Sequence, residues 1–144
     1  MPVNPADSPV FGALYGTEAM RAVAGERALL GHMLAVEAAL ARAQARLGII
    51  PAEAATAITA AAADPDRLDL PALAAATRNT GYPVVGLVNQ LSALAGPAAG
   101  RWTHWGATTQ DIMDSAVVLQ LRDALALIEA ELDAVIAGFA ATAR

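Results

Sequence analysis

Apolar residues recur at helical spacing along most of the chain. Leu29, Met33, Val36, Leu40, Ala43 and Leu47 step by four and three residues, which predicts an amphipathic helix over 26–47, ended by Gly48. Upstream, Pro2, Pro5, Pro9 and Gly12 predict an extended arm over 1–15, and Thr17 predicts the cap of a short helix through Ala24, broken at Gly25. Downstream, Ile50-Pro51-Ala52-Glu53 starts a second helix, continued by the alanine-rich Ala54–Ala63 until Asp64-Pro65. Asp69 then caps a helix with Pro71 in its first turn and Gly81 past its end, and Pro83 starts another with the stripe Val84, Leu87, Val88, Leu91 and Leu94.

Gly96-Pro97 closes that helix and leaves an irregular connection of about a dozen residues before Thr108, a length that in compact domains is usually functional. Beyond Thr109 no proline or glycine intervenes until Gly138. Val117, Leu121, Ala124, Ile128, Leu132, Val135 and Phe139 mark one apolar line, and Ile112, Ala116, Leu119, Ala130 and Ala137 a second on the far side. Such a helix extends roughly 50 Å, too far for the preceding helices to cover on two faces. It is therefore expected to lie in an oligomer or against further sequence. The pattern reaches Arg144 without a cap, so the chain is expected to be a piece of a longer protein. No strand-like alternation interrupts this all-α pattern.

Composition narrows the functions open to such a chain. Hydrophobic residues make up 56%, much of it alanine, which favours helix. A net charge of −5 argues against nucleic-acid partners, because phosphate binding needs a basic face. The absence of cysteine excludes disulfides and thiolate metal sites and fits a reducing compartment. No apolar run is long enough to span a bilayer and the N-terminus is no signal peptide, so a cytoplasmic location is expected.

The residues with chemistry cluster at Arg101–Ser115. Thr108, Thr109, Gln110 and Asp111 make a helix start of capping-box type, where exposed N–H groups and the helix dipole favour a bound carboxylate. The alternative is a cap and nothing more. His104 stands between Trp102 and Trp105, which can fix the loop and dry one wall around a side chain able to bind or protonate near neutral pH. Arg78-Asn79 at one helix end and Arg21 in the short first helix could point a guanidinium at a carboxylate, although a C-terminal arginine also suits the helix dipole. His32 reads as structural, and Glu37 as an ion-pair partner buried in an assembly rather than an acid catalyst. With no phosphate loop, metal-ligand cluster or nucleophile–base pair in the sequence, the chemistry expected is acid–base work on an anion with no metal or cofactor.

His104-Trp105-Gly106-Ala107-Thr108-Thr109-Gln110-Asp111, followed by Met113-Asp114-Ser115-Ala116, resembles the first signature region of the fumarase/aspartase superfamily. Ala19-Met20-Arg21-Ala22, Val36-Glu37-Ala38-Ala39-Leu40-Ala41 and Gly81-Tyr82-Pro83-Val84-Val85 are similar to other stretches of the same family. The resemblance implies a small helical N-terminal domain over 1–107 and the beginning of a central helical bundle over 108–144, in a homotetramer whose active sites draw on three subunits. The tryptophan–alanine variant implies the cycloisomerase branch, which lactonises 3-carboxy-cis,cis-muconate by carboxylate addition and proton transfer, without a cofactor. His104 then matches the histidine at the substrate carboxylate, and Thr108, Thr109 and Gln110 the carboxylate-binding run, with Trp105 and Asp111 structural beside them. Thr109 replaces the usual serine and Ser115 the usual threonine. Asn79 stands where adenylosuccinate lyases carry a catalytic histidine, which argues against that β-elimination, the runner-up activity. The general base would lie beyond residue 144, so this piece alone is expected to be inactive. A helical oligomerisation module without a site is the competing non-enzymatic expectation.

Overall fold

The computed structural model describes residues 5–143. Seven helices carry the fold: α1 (Glu18–Ala24), α2 (Glu26–Arg46), α3 (Ala52–Ala61), α4 (Leu70–Thr80), α5 (Val84–Ala95), α6 (Pro97–Gly100) and α7 (Thr109–Thr142). Among the described residues there is no strand, and the fold is all-α.

Local chemistry sets most of these boundaries. Thr17 accepts from Met20 N–H at 3.1 Å and Asp69 from Ala72 N–H at 2.9 Å, each satisfying a donor that a helix start leaves open. Gly81 ends α4 at φ 86° and donates to Thr77 O, a left-handed closure that suits glycine. Residues 1–4 of the expected extended arm lie outside the described residues, and over 5–15 the segment differs from that expectation. It folds into 3-10 turns at Pro5–Asp7 and Gly12–Leu14, and Arg21 fastens it by donating to Gly12 O and Gly16 O.

Helix α2 is the axis of the fold, with α3 and α7 packed along it. Its inward face is Leu30, Met33, Leu34, Glu37, Ala38 and Ala41, not the stripe through Leu29, Val36 and Leu40. Leu47, expected to close that stripe, is 75% exposed. Alanine explains the rotation. Ala38 and Ala41 meet Ala54, Ala55, Ile58 and Ala61 of α3 within one core, where small side chains let the two backbones approach closely. Leu87 and Leu91 of α5 and Ile112 and Ala116 of α7 complete it, each at most 1% exposed.

Helix α7 runs antiparallel to α2, since Asp123 meets His32 near the start of α2 while residues before α7 meet its end. Gln120 marks the same direction by donating to Val23 O at 2.9 Å. Beyond this point α7 leaves the core. Leu132, Val135, Ile136 and Phe139 are all more than half exposed. No helix among the described residues is long and apolar enough to cross a membrane.

Candidate active site

The connection between α5 and α7 is more ordered than an irregular loop. Gly96 turns the chain at φ 83°, α6 follows, and successive turns lead through Arg101 to Gly106. Trp102 packs on the core, Trp105 meets it edge-on at 5.0 Å between ring centroids, and the Arg101 guanidinium lies 5.3 Å from the Trp102 ring. Trp105 itself stays 48% exposed, so Trp102 is the anchor of the two.

Two residues of α2 hold this segment from below. The Gln44 side-chain amide donates to Trp105 O at 2.6 Å. Glu37 Oε1 lies 2.6 Å from His104 Nδ1, and the carboxylate side chain has no exposed surface. Glu37 and Gln44 stand seven positions apart, two helical turns, so both project from one side of α2. His104 adopts φ 59°, a left-handed conformation that costs energy in any residue but glycine and persists only where its surroundings fix it. Glu37 is thus buried within this chain, not in an assembly. Burial pushes its carboxyl above the ordinary glutamate range, and the hydrogen bond and charge of His104 oppose that rise.

Helix α7 starts at Thr109, five positions after His104. Asp111 closes the capping box with Thr108, accepting from Thr108 N–H at 2.9 Å. The first N–H groups of so long a helix lack helical acceptors and carry the positive end of its dipole. Thr108 is exposed and Thr109 half-buried, and the Gln110 amide donates to Asp114 one turn on. His104 and Trp105 thus lie within seven positions of Thr108–Asp111 along the chain, the former held against α2 and the latter opening α7.

The other predicted site residues lie elsewhere. The Arg21 guanidinium is spent on the Gly12 and Gly16 carbonyls, and Arg78 lines a recess of about 380 Å³ with Glu26, Leu29, Met33, Leu73 and Thr77. None of residues 101–111 lines that recess. Asn79 is exposed at the end of α4. Within this chain, then, the arginines and Asn79 are not brought to His104. Among the described residues no cluster of side chains has the make-up of a metal site.

A family model described as "Lyase" matches residues 15–144. The chain belongs to that family, the fumarase/aspartase lyases. A 3-carboxy-cis,cis-muconate cycloisomerase of Acinetobacter baylyi is 43% identical over 85% of this chain and 28% of its own length. A nitrosuccinate lyase of Streptomyces davaonensis is 46% identical over 88% of this chain and 27% of its own length. The solved 3-carboxy-cis,cis-muconate lactonizing enzyme from Pseudomonas putida superposes with a TM-score of 0.82 at 45% identity, covering 87% of this chain and 28% of that one. The chain thus spans less than a third of the length of these relatives.

The sequence marked Glu37 as a buried ion-pair partner but missed that the partner is His104, and it missed Gln44 altogether. The one signal for Gln44 is a polar position two turns from Glu37 on a helix with an apolar inner face.

Proposed function

We propose that this chain supplies the first region of a composite active site in a cofactor-independent cycloisomerase that closes 3-carboxy-cis,cis-muconate to carboxymuconolactone. The observation that supports this is a His104 anchored to α2 and followed four residues later by the capping box that opens α7, in a chain 45% identical to a lactonizing enzyme of matching fold. The substrate is a polycarboxylate. His104 and the hydroxyls of Thr108 and Thr109 bind one carboxylate at the helix N-terminus, with Gln110 beside them, while another substrate carboxylate adds across the double bond. Neutralising the bound carboxylate favours electron flow from the attacking oxygen into the conjugated system, and a proton then reaches the neighbouring carbon. Arg78 and Asn79, exposed at the end of α4, contribute to a neighbouring site from that face, while Arg21 serves to hold the N-terminal segment.

The outer line of α7 fits the same account. Val117, Leu121, Ile128, Leu132 and Val135 are 43–57% exposed along one side, and we assign that side to the central bundle of a homotetramer. In this division residues 1–107 form the N-terminal domain and 108–144 begin the bundle, and the protein acts in the cytoplasm. The identity to nitrosuccinate lyase supports a second activity, β-elimination from a substituted succinate, the reverse in kind of carboxylate addition. Turnover of 3-carboxy-cis,cis-muconate and nitrosuccinate by the whole protein separates the two.

A further inference from the structure

Glu37 is an expensive residue for its position. It shares the buried face of α2 with Leu30, Met33, Leu34, Ala38 and Ala41, and its side chain is wholly enclosed. A carboxylate in such a place destabilises the fold unless it is paired, and an apolar residue of similar volume is often better tolerated. Its one partner residue is His104, through the ring and also the backbone, while Oε2 accepts no hydrogen bond among the described residues. Loop anchoring alone does not require a charge, because Gln44 already holds the neighbouring carbonyl with a neutral amide.

What a carboxylate adds at Nδ1 is control of the imidazole proton. A neutral histidine carries its hydrogen on one nitrogen or the other, and the partner of one nitrogen decides the role of the second. Here Nε2 has no partner among the described residues, and the side chain is 19% exposed. Building on the role given to His104 above, we propose that Glu37 is a positioning residue. It accepts the Nδ1 proton of His104, fixes that tautomer and ring orientation, and leaves Nε2 as the atom that meets the substrate. The left-handed backbone at His104 belongs to the same device, since it lets the ring reach down to α2 while Trp105 O is held by Gln44.

The tautomer can be read directly. In ¹⁵N-labelled chain carrying His32→Gln, His104 is the remaining histidine. Long-range ¹H–¹⁵N correlation at about pH 8.5, where ordinary histidines are neutral, is expected to show a proton on Nδ1. Glu37→Leu is expected to lose that preference. Should the leucine variant fail to fold, Glu37→Gln serves, because its amide can face Nδ1 with either atom and the Nδ1–H fraction falls. A ring protonated on Nε2 alone, which would make Glu37 the donor, overturns the proposal, as does an unchanged Nδ1–H signal in the variant. In the whole protein Glu37→Gln is expected to lower kcat by at least about tenfold with KM altered far less, and an unchanged kcat overturns it. His104→Ala in parallel keeps the two ideas apart. Undiminished turnover there removes the role of His104, whereas a wrong tautomer removes only that of Glu37.

Discussion

Glu37 and His104 stand 67 residues apart in the chain and 2.6 Å apart in the fold. The contact ties the middle of α2 to the segment that leads into α7, and it buries a carboxylate with a single partner.

That burial sets a pH dependence. The Glu37 carboxyl is raised from 4.5, with burial as the main cause and His104 opposing it. The folded chain therefore holds this proton more tightly than the unfolded chain does. Its stabilising share is complete below the ordinary glutamate value and is lost as pH rises through the raised one. Urea unfolding between about pH 4 and 8 is expected to show the parent losing stability relative to Glu37→Gln as pH rises. Parallel profiles for the two proteins would contradict the burial argument.

At the packed centre, Leu87 is 0% exposed and Leu91 equally enclosed. Leu87→Ala is expected to cost about 2–5 kcal/mol by leaving a cavity. A methyl at Gly86 would sit 2.8 Å from Leu73 Cδ1 and 2.9 Å from Ala76 Cβ, so Gly86→Ala is expected to cost about 1–3 kcal/mol through overpacking of α4 on α5. Chemical denaturation measures both, and a loss below about 0.5 kcal/mol for either would show the contact to be looser than described.

Removing the cap of α4 is a milder change. Asp69 Oδ1 accepts from Ala72 N–H, and Asp69 N–H and O both bond the Gln90 side chain through the backbone. Asp69→Ala therefore removes the cap and spares the link to α5. The expected loss is about 1 kcal/mol, read as a lowered thermal midpoint.

The free side of α7 gives a prediction about assembly. Leu132 is 54% exposed in the single chain, and the proposed bundle covers it. Leu132→Lys in the whole protein is expected to split the assembly, since an unpaired buried charge costs several kcal/mol. Light scattering would report the lower mass. An unchanged mass would take this side of α7 out of the interface.

The helices themselves could be read from the chain because their ends carry local chemistry: Thr17, Asp69, Gly81 and Pro83 act within a few residues of where they stand. The inner face of α2 could not. Alanine on both sides of Leu40 blurs the stripe, and close approach by α3 decides which alanines are buried. The capping box at Thr108 and Asp111 was visible for the same local reason. Its neighbour His104 was visible as a histidine between tryptophans, but the partner that orients it lies in another helix, and no local pattern reports a contact of that range. The 3-10 turn at Pro5–Asp7 was hidden by its proline, which suits extended and turned backbone alike.

The central claim is that His104, held from α2, meets a substrate carboxylate at the start of α7. Its most direct test is kcat/KM of the whole protein on 3-carboxy-cis,cis-muconate, parent against His104→Ala, with assembly mass checked in both. The account predicts lactone formation by the parent and a loss of at least about 100-fold in the variant, at unchanged mass. A parent inert on this substrate, or a variant as active as the parent, would contradict it.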